Sequence, residues 1–279
     1  MNWAVTGAGG MLGRDVVDVL RSSGDSVIAL TRSELDVRDP SACSHAISGA
    51  DAVFNCAAWT DVDGAESHEA SAFAVNAVGA ANVARASREH GAVMVHVSTD
   101  YVFAGNASTP YPVDAHVAPL NAYGRTKAAG EWAVRAECPR SYVVRTAWLY
   151  GEHGRSFPTT MLRLAGERDT FDVVNDQRGQ PTWTRDLAVF VRSLVVENAP
   201  FGLHHGTAAG ETTWFGFAQE IFRAAGLDPQ RIRPTTSDRF PRPASRPSYS
   251  VLKNDVAFPR WQAGIELVVP RIRVGGAEG

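Results

Sequence analysis

The turn Thr6-Gly7-Ala8-Gly9-Gly10-Met11-Leu12-Gly13 constrains this chain more than any other stretch of it. It joins the apolar run Trp3–Thr6 to the helix-like segment Met11–Ser22. Glycine at 7 permits a tight turn, glycine at 10 lets a bound group approach the backbone, and glycine at 13 lets helix pack closely on strand. Met11 and Leu12 open a helix whose first N–H groups lack intrahelical partners and carry a partial positive charge. Such an end suits a pyrophosphate. A glycine-rich turn alone is weak evidence, but here it has the strand–turn–helix setting that a dinucleotide-binding unit requires.

The same alternation continues through the first half. Ser26–Leu30, Ala52–Asn55, Val93–Ser98 and Ser141–Thr146 read as further strands. Pro40–Ile47, Ser67–Glu89 and Tyr123–Ala136 read as the helices between them. Short apolar strands separated by helices predict βαβ units, hence an α/β fold with a Rossmann-like, doubly wound parallel sheet. The rhythm loosens after about Gly151, although Pro158–Ala165, Arg185–Glu197 and Trp214–Ala225 still have helical character. Prolines recur from Pro234 to Pro247, which predicts an ordered loop or lid. We therefore expect a dinucleotide-binding domain over 1–150 and a smaller C-terminal substrate domain over 151–279, with 171–197 a candidate to return to the large sheet. Beyond Trp261 the chain is short and carries Pro270 and Gly275-Gly276, so no long terminal helix is expected.

Composition narrows the partners. Hydrophobic residues make up 44% and charged residues 20%, which argues against wholesale disorder. A net charge of -3 gives no electrostatic reason to expect nucleic acid or an anionic membrane surface. No apolar run is long enough to span a bilayer, and Met1-Asn2-Trp3-Ala4-Val5 does not read as a secretion signal. Cys43, Cys56 and Cys138 cannot all pair within one chain and lack metal-ligand spacing, which fits a reducing cytoplasm. His204-His205 resembles a ligand pair, but neighbours in a strand face opposite sides.

The second strand ends in Leu30-Thr31-Arg32-Ser33, with no carboxylate to hold the ribose hydroxyls of NAD. Arg32 instead offers planar donors to a 2′-phosphate, favouring NADPH with NADH as the alternative; a solvated surface arginine is the competing account. Asp36 and Val37 are placed to flank the adenine, and Asp36 would serve equally as a helix cap. Farther on, Tyr123-Gly124-Arg125-Thr126-Lys127 sets a phenol and an ammonium four residues apart, on one helix face. A free tyrosine has a pKa of about 10, and a nearby lysine cation is expected to lower it. The phenol would donate a proton to a carbonyl oxygen while lysine holds a cofactor ribose. Thr99, at the end of the fourth strand, would stabilise the developing oxyanion, with Ser98 the competing hydroxyl. Asp100 would orient its neighbours.

These motifs together resemble the extended short-chain dehydrogenases/reductases and, more narrowly, the dTDP-4-dehydrorhamnose reductase family. The resemblance runs from Met1 to about Ile265. It rests on Asn55-Cys56-Ala57-Ala58-Trp59-Thr60-Asp61-Val62-Asp63, Ser98-Thr99-Asp100-Tyr101-Val102-Phe103, Asn121-Ala122-Tyr123-Gly124-Arg125-Thr126-Lys127 and Arg145-Thr146-Ala147-Trp148-Leu149-Tyr150-Gly151. Later pieces are Asn175-Asp176-Gln177-Arg178-Gly179-Gln180-Pro181-Thr182 and Arg246-Pro247-Ser248-Tyr249-Ser250. It implies reduction at C4 of a 4-keto-6-deoxyhexose on a nucleoside diphosphate, with Thr99, Tyr123 and Lys127 as the triad. Ala57, Ala58 and Asn76 resemble cofactor-pocket positions. Thr60, Val62, Asp63 and Trp148 resemble sugar-nucleotide positions, with Asn175, Gln177 and Arg246 nearby. A solvated acidic helix start is the other account of Asp63 and Glu66. Some relatives bind magnesium through acidic residues at a subunit interface; Arg185-Asp186 matches that region only in part, so no metal is expected, and a homodimer is left open. A dehydratase of this architecture would carry glutamate where Tyr101 stands. An epimerase, a reductase of a ring-contracted streptose-type sugar, or a non-catalytic regulatory subunit are the remaining alternatives.

Overall fold

The computed structural model describes residues 1–254 and 256–272. Five strands of the first half are β1 (Asn2–Thr6), β2 (Ser26–Leu30), β3 (Ala52–Asn55), β4 (Val93–Thr99) and β5 (Ser141–Thr146). With Gly202–His205 they form one sheet in the order β2, β1, β3, β4, β5, Gly202–His205, each neighbouring pair parallel. The order reverses at β1, and the crevice past the strand ends at that switch is where open α/β sheets take their ligands.

Alternate side chains of each strand feed different cores, as the period of two requires. On one face Trp3, Val5, Phe54, Val95 and Val144 pack with Val16 and Leu20 of α1 (Met11–Ser22) and with Leu187 and Val191. On the other face Ala4, Val53, Met94 and Val143 meet Cys43 and Ile47 of α2 (Pro40–Ile47), together with Val83 and Ala84. With helices on both faces, the sheet is Rossmann-like and doubly wound.

The expected helix over Ser67–Glu89 is broken into shorter pieces. It begins early as α3 (Val62–Ser67), capped by the Asp61 carboxylate accepting from the Gly64 N–H, and halts at His68. Next come α4 (Glu69–Phe73), a π-helical turn over Ala74–Gly79, and α5 (Ala80–Glu89). The π-turn coincides with Asn76, whose buried amide bonds the backbone N–H and carbonyl of Trp59 and the hydroxyl of Thr126. A local π register of this kind aims one side chain sideways at the cost of regular hydrogen bonding.

Helix α6 (Ala122–Glu137) carries the Tyr–Lys pair. After it come α7 (Phe157–Glu167), α8 (Thr184–Val196), α9 (Trp214–Ala224) and α10 (Trp261–Val268). A separate apolar cluster of Tyr150, Met161, Phe171, Phe217, Phe222, Trp261 and Ile265 ties α7, α9 and α10 together. The segment 171–197 divides. Phe171–Val174 pairs with Ile232–Thr235 in this C-terminal part, whereas α8 crosses back to pack on α1 and leads into the edge strand Gly202–His205. The proline-rich 234–247 segment is ordered from both halves: Asp176 and Gln177 hold Ser237, while Asp63 and Asn121 hold Ala244 and Ser245. Past α10 lies a single 3₁₀ turn, Val269–Arg271; Gly275-Gly276 fall outside the described residues. Among the described residues no helix is long and apolar enough to cross a membrane. His204 and His205 diverge as expected, their rings meeting the carbonyls of Pro200 and Lys253 respectively.

Candidate active site

A crevice of about 1340 Å³ opens along the strand ends. Its first wall is the glycine turn. Gly7 has φ +67°, and a Cβ there would stand 2.8 Å from the Ala57 nitrogen. A Cβ on Gly13 would stand 2.3 Å from the Gly7 carbonyl oxygen. Helix α1 starts without any side-chain cap. Its first N–H groups are therefore left to whatever anion the turn receives.

Arg32, Asp36 and Val37 line the adjoining end, with Arg14 and Arg38, which the motif reading passed over. Both flank acidic or glycine positions that were singled out, and a count of basic residues around the turn would have found them. Asp36 is clamped by Arg38, with contacts of 2.6 and 2.9 Å, and this hydrogen bonding holds its carboxyl down at about 2. The capping role considered for Asp36 belongs to Asp39, whose carboxylate accepts from the N–H groups of Ser41 and Ala42.

The chemistry-bearing side chains meet at the other end. Asn121 caps α6 by accepting from the Gly124 N–H, and Glu66 accepts from the Ala122 N–H at 2.8 Å. Glu66 thus anchors the helix start while remaining exposed. Tyr123 and Lys127, one turn apart, both face the crevice, as do Thr99 and Asp100. Lys127 is buried and donates to the Val97 carbonyl at 2.6 Å. Burial lowers its ammonium to about 8, opposed by the negative charge of Glu131.

One expectation is corrected here. Tyr123 is raised, to about 12, because its phenol is buried and Asp100 is close; contact with the Thr99 hydroxyl offsets part of the rise, and Lys127 contributes nothing to it. The lysine cation is committed to the strand carbonyl instead. The Thr99 hydroxyl donates to the Asp100 carboxylate at 3.0 Å and accepts from the Tyr101 N–H at 3.2 Å. Asp100 is itself pushed up to about 6 by burial, with the hydroxyls of Ser250 and Thr99 pulling the other way.

Ala57, Ala58, Trp59, Thr60 and Trp148 complete the expected lining, together with Asp61 and Arg155, which were not singled out as binding residues. Trp148 has φ +46°, an unusual backbone for an aromatic residue. Its indole stacks on Trp214, with ring centroids 3.6 Å apart. On Gly179, a Cβ would come within 2.4 Å of that indole.

Six expected positions lie outside the crevice wall. Asn76 is buried behind Trp59, holding its backbone. Val62 begins α3. Asn175 accepts from the Thr213 hydroxyl, and Gln177 accepts from the indole N–H of Trp214 at 3.2 Å, so both steady the far side of the tryptophan stack. Asp63 and Arg246 are paired with each other at 3.0 Å, and Asp63 also accepts from the Ala244 N–H. That pairing engages the guanidinium that the resemblance put near the sugar-nucleotide positions. Elsewhere, Asp15, Asp18 and His153 bring two carboxylates and an imidazole within 4.8 Å of one another, a cluster the sequence reading did not assemble.

A family model described as the RmlD substrate binding domain matches residues 1–272. The chain belongs to the dTDP-4-dehydrorhamnose reductase family and is an oxidoreductase. Among relatives, it is 48% identical over 272 residues to the dTDP-4-dehydrorhamnose reductase of Streptomyces griseus, covering 95% of this chain and 88% of that one. It is 49% identical to a probable dTDP-4,6-dihydroxy-2-methyloxan-3-one 4-ketoreductase of Streptomyces antibioticus, covering 94% and 88%. Among solved structures, the dTDP-4-dehydrorhamnose reductase of Bacillus anthracis in complex with NADP superposes with a TM-score of 0.92 at 35% identity, covering 96% and 98%. The reductase family therefore spans both halves of the chain, including the C-terminal part that carries Trp214 and Arg246.

Proposed function

We propose that this protein reduces the C4 ketone of a dTDP-linked 4-keto-6-deoxyhexose, with NADPH as reductant and Tyr123 as proton donor. The observation that carries the reading is convergence: Thr99, Tyr123 and Lys127 face the same crevice as the glycine turn. The names of the Streptomyces relatives support the substrate class, and the NADP complex of the Bacillus anthracis relative supports the cofactor.

The residues present fit a dinucleotide, since Gly7 and Gly13 let the turn close tightly against its own backbone and Ala57, and α1 leaves its N–H groups without a side-chain cap. Gly7, Gly10, Met11 and Leu12 would hold the pyrophosphate, and Ala57 and Ala58 the neighbouring wall. Arg14, Arg32 and Arg38 add positive charge beside the adenine end, which suits a 2′-phosphate. When bound, NADPH supplies the hydride that reduces the carbonyl carbon.

The protein's own part is proton delivery and orientation. With its phenol raised to about 12, Tyr123 keeps its proton at neutral pH and gives it up only to a strongly basic oxygen, such as the alkoxide that develops at C4. Thr99 lies beside Tyr123 and can turn its O–H from Asp100 towards the same oxygen. Lys127, held by the Val97 carbonyl, would orient the cofactor ribose. Trp148 offers an aromatic face to the sugar nucleotide. Tyr101 stands where a dehydratase would need a carboxylate, so abstraction of a ring proton has no base at that position.

The test is to supply NADPH with a panel of dTDP-keto sugars and follow cofactor oxidation, then determine the configuration of each product by NMR. Stoichiometric formation of a C4 alcohol is expected. Loss of water from the sugar, epimerisation without net NADPH consumption, or no turnover across the panel would refute the assignment.

A further inference from the structure

Behind the crevice lies an ion pair with no contact to it. Glu131 and Arg145 are bonded in bidentate fashion at 2.9 and 2.7 Å, and each side chain is only 2% exposed. Burying two charges costs several kcal/mol per ion, and apolar side chains of similar size commonly hold such elements together as well or better. Packing α6 on the sheet therefore does not by itself account for the pair.

Its partners suggest what does. The Glu131 carboxylate also accepts from the Ser98 hydroxyl at 2.5 Å. Ser98 and Arg145 are directly opposite each other in the register of β4 and β5. One residue farther along β4 is Thr99; along β5, Thr146 leads into Ala147 and Trp148. Glu131 itself is one helical turn beyond Lys127 and two beyond Tyr123. Arg145 donates onward to the Val113 carbonyl at 2.9 Å and lies over the Phe103 ring at 4.8 Å, so the segment after Asp100 is held as well.

We propose that Glu131 is a positioning residue: its one carboxylate locks α6, β4 and β5 in register, and thereby fixes Tyr123, Lys127, Thr99 and Trp148 relative to one another. The inference rests on the reading of Tyr123, Thr99 and Lys127 given above. Hydrogen bonds are directional where apolar contacts are not, so the carboxylate sets distances that an aliphatic pair would leave loose.

The test separates positioning from stability. Glu131→Gln is expected to lower both melting temperature and kcat, because Arg145 is left buried without its counter-charge. The double variant Glu131→Leu/Arg145→Met is expected to regain the wild-type melting temperature while kcat stays down by about tenfold or more and KM for the keto sugar changes little. NADPH affinity, read from nicotinamide fluorescence without any sugar, is expected to weaken by about threefold or more as Lys127 loses its setting. A double variant with wild-type stability, kcat and NADPH affinity would overturn the proposal. Should that variant fail to fold, Ser98→Ala removes one of the three bonds; stability near wild type with kcat reduced severalfold is expected, and unchanged kcat and NADPH affinity would overturn the proposal just as well. If the wild-type enzyme reduces none of the sugars, the substrate reading falls, while the NADPH affinities still decide the role of Glu131.

Discussion

Lys127 shows how burial sets a side chain's working range. Its ammonium is buried and lowered to about 8, so the cation persists at neutral pH but is lost as pH rises through that value. In the free enzyme the charge that would hold the cofactor ribose therefore disappears on the alkaline side. We expect kcat/KM to be level near neutrality and to fall about tenfold per pH unit above about 8, as a profile of the free enzyme's groups should. A profile flat to pH 10 would contradict the role given to Lys127. The spacing of Tyr123 and Lys127 was legible because a helix fixes which residues share a face. Their electrostatics were not, since the Val97 carbonyl that engages the ammonium comes from another strand. Spacing alone does not show which of two nearby groups an ammonium will choose.

At the scale of elements, strands β2, β3 and β5 and helices α1 and α2 were legible to the residue. Each is an apolar run bounded by turn residues, and buried parallel strands leave little room for other reading. Gly202–His205 was not counted with the sheet, although its histidines were read as strand neighbours, because it is short and sits at the edge, where one side needs no partner. The π-turn was equally invisible, because its cause is the contact of Asn76 with Trp59 and Thr126 rather than any local pattern. The tryptophan stack belongs to this scale too. Trp148 comes from the loop after β5 and Trp214 from the start of α9, and Gln177 fixes the second ring. Losing an aromatic pair costs about 0.5–1.5 kcal/mol beyond area. Trp214→Leu is therefore expected to raise KM for the sugar nucleotide by about three- to tenfold with a smaller change in kcat, and Trp214→Phe to restore most of it. Steady-state kinetics of the two variants check this; an unchanged KM in the leucine variant would remove Trp214 from the binding account.

The whole molecule is joined across its crevice by side chains distant in sequence. Asp63 holds Arg246 and the Ala244 N–H, and Asn121 donates to the Ser245 carbonyl at 2.9 Å. These links order the proline-rich 234–247 strap against α3 and α6. Prolines predicted that no long helix would form there, but the anchoring partners could not be read from a segment some 180 residues away, such as the 181-residue separation between Asp63 and Ala244. Asp63→Ala should release the strap, and trypsin should then cut after Arg239 several times faster than in the wild type, as native-state proteolysis timed by gel or mass spectrometry would show. An unchanged cleavage rate would mean that the strap is held by other contacts.

Proton delivery by Tyr123 at the crevice it shares with the glycine turn is the central claim, and Tyr123→Phe tests it most directly. The substitution removes one oxygen from a buried ring, so NADPH binding and melting temperature should stay near wild type. Measured as NADPH oxidation with a dTDP-4-keto-6-deoxyhexose, kcat should fall by roughly 10²–10⁴-fold, the usual contribution of a positioned general acid. Turnover within a fewfold of wild type would show that the proton comes from elsewhere.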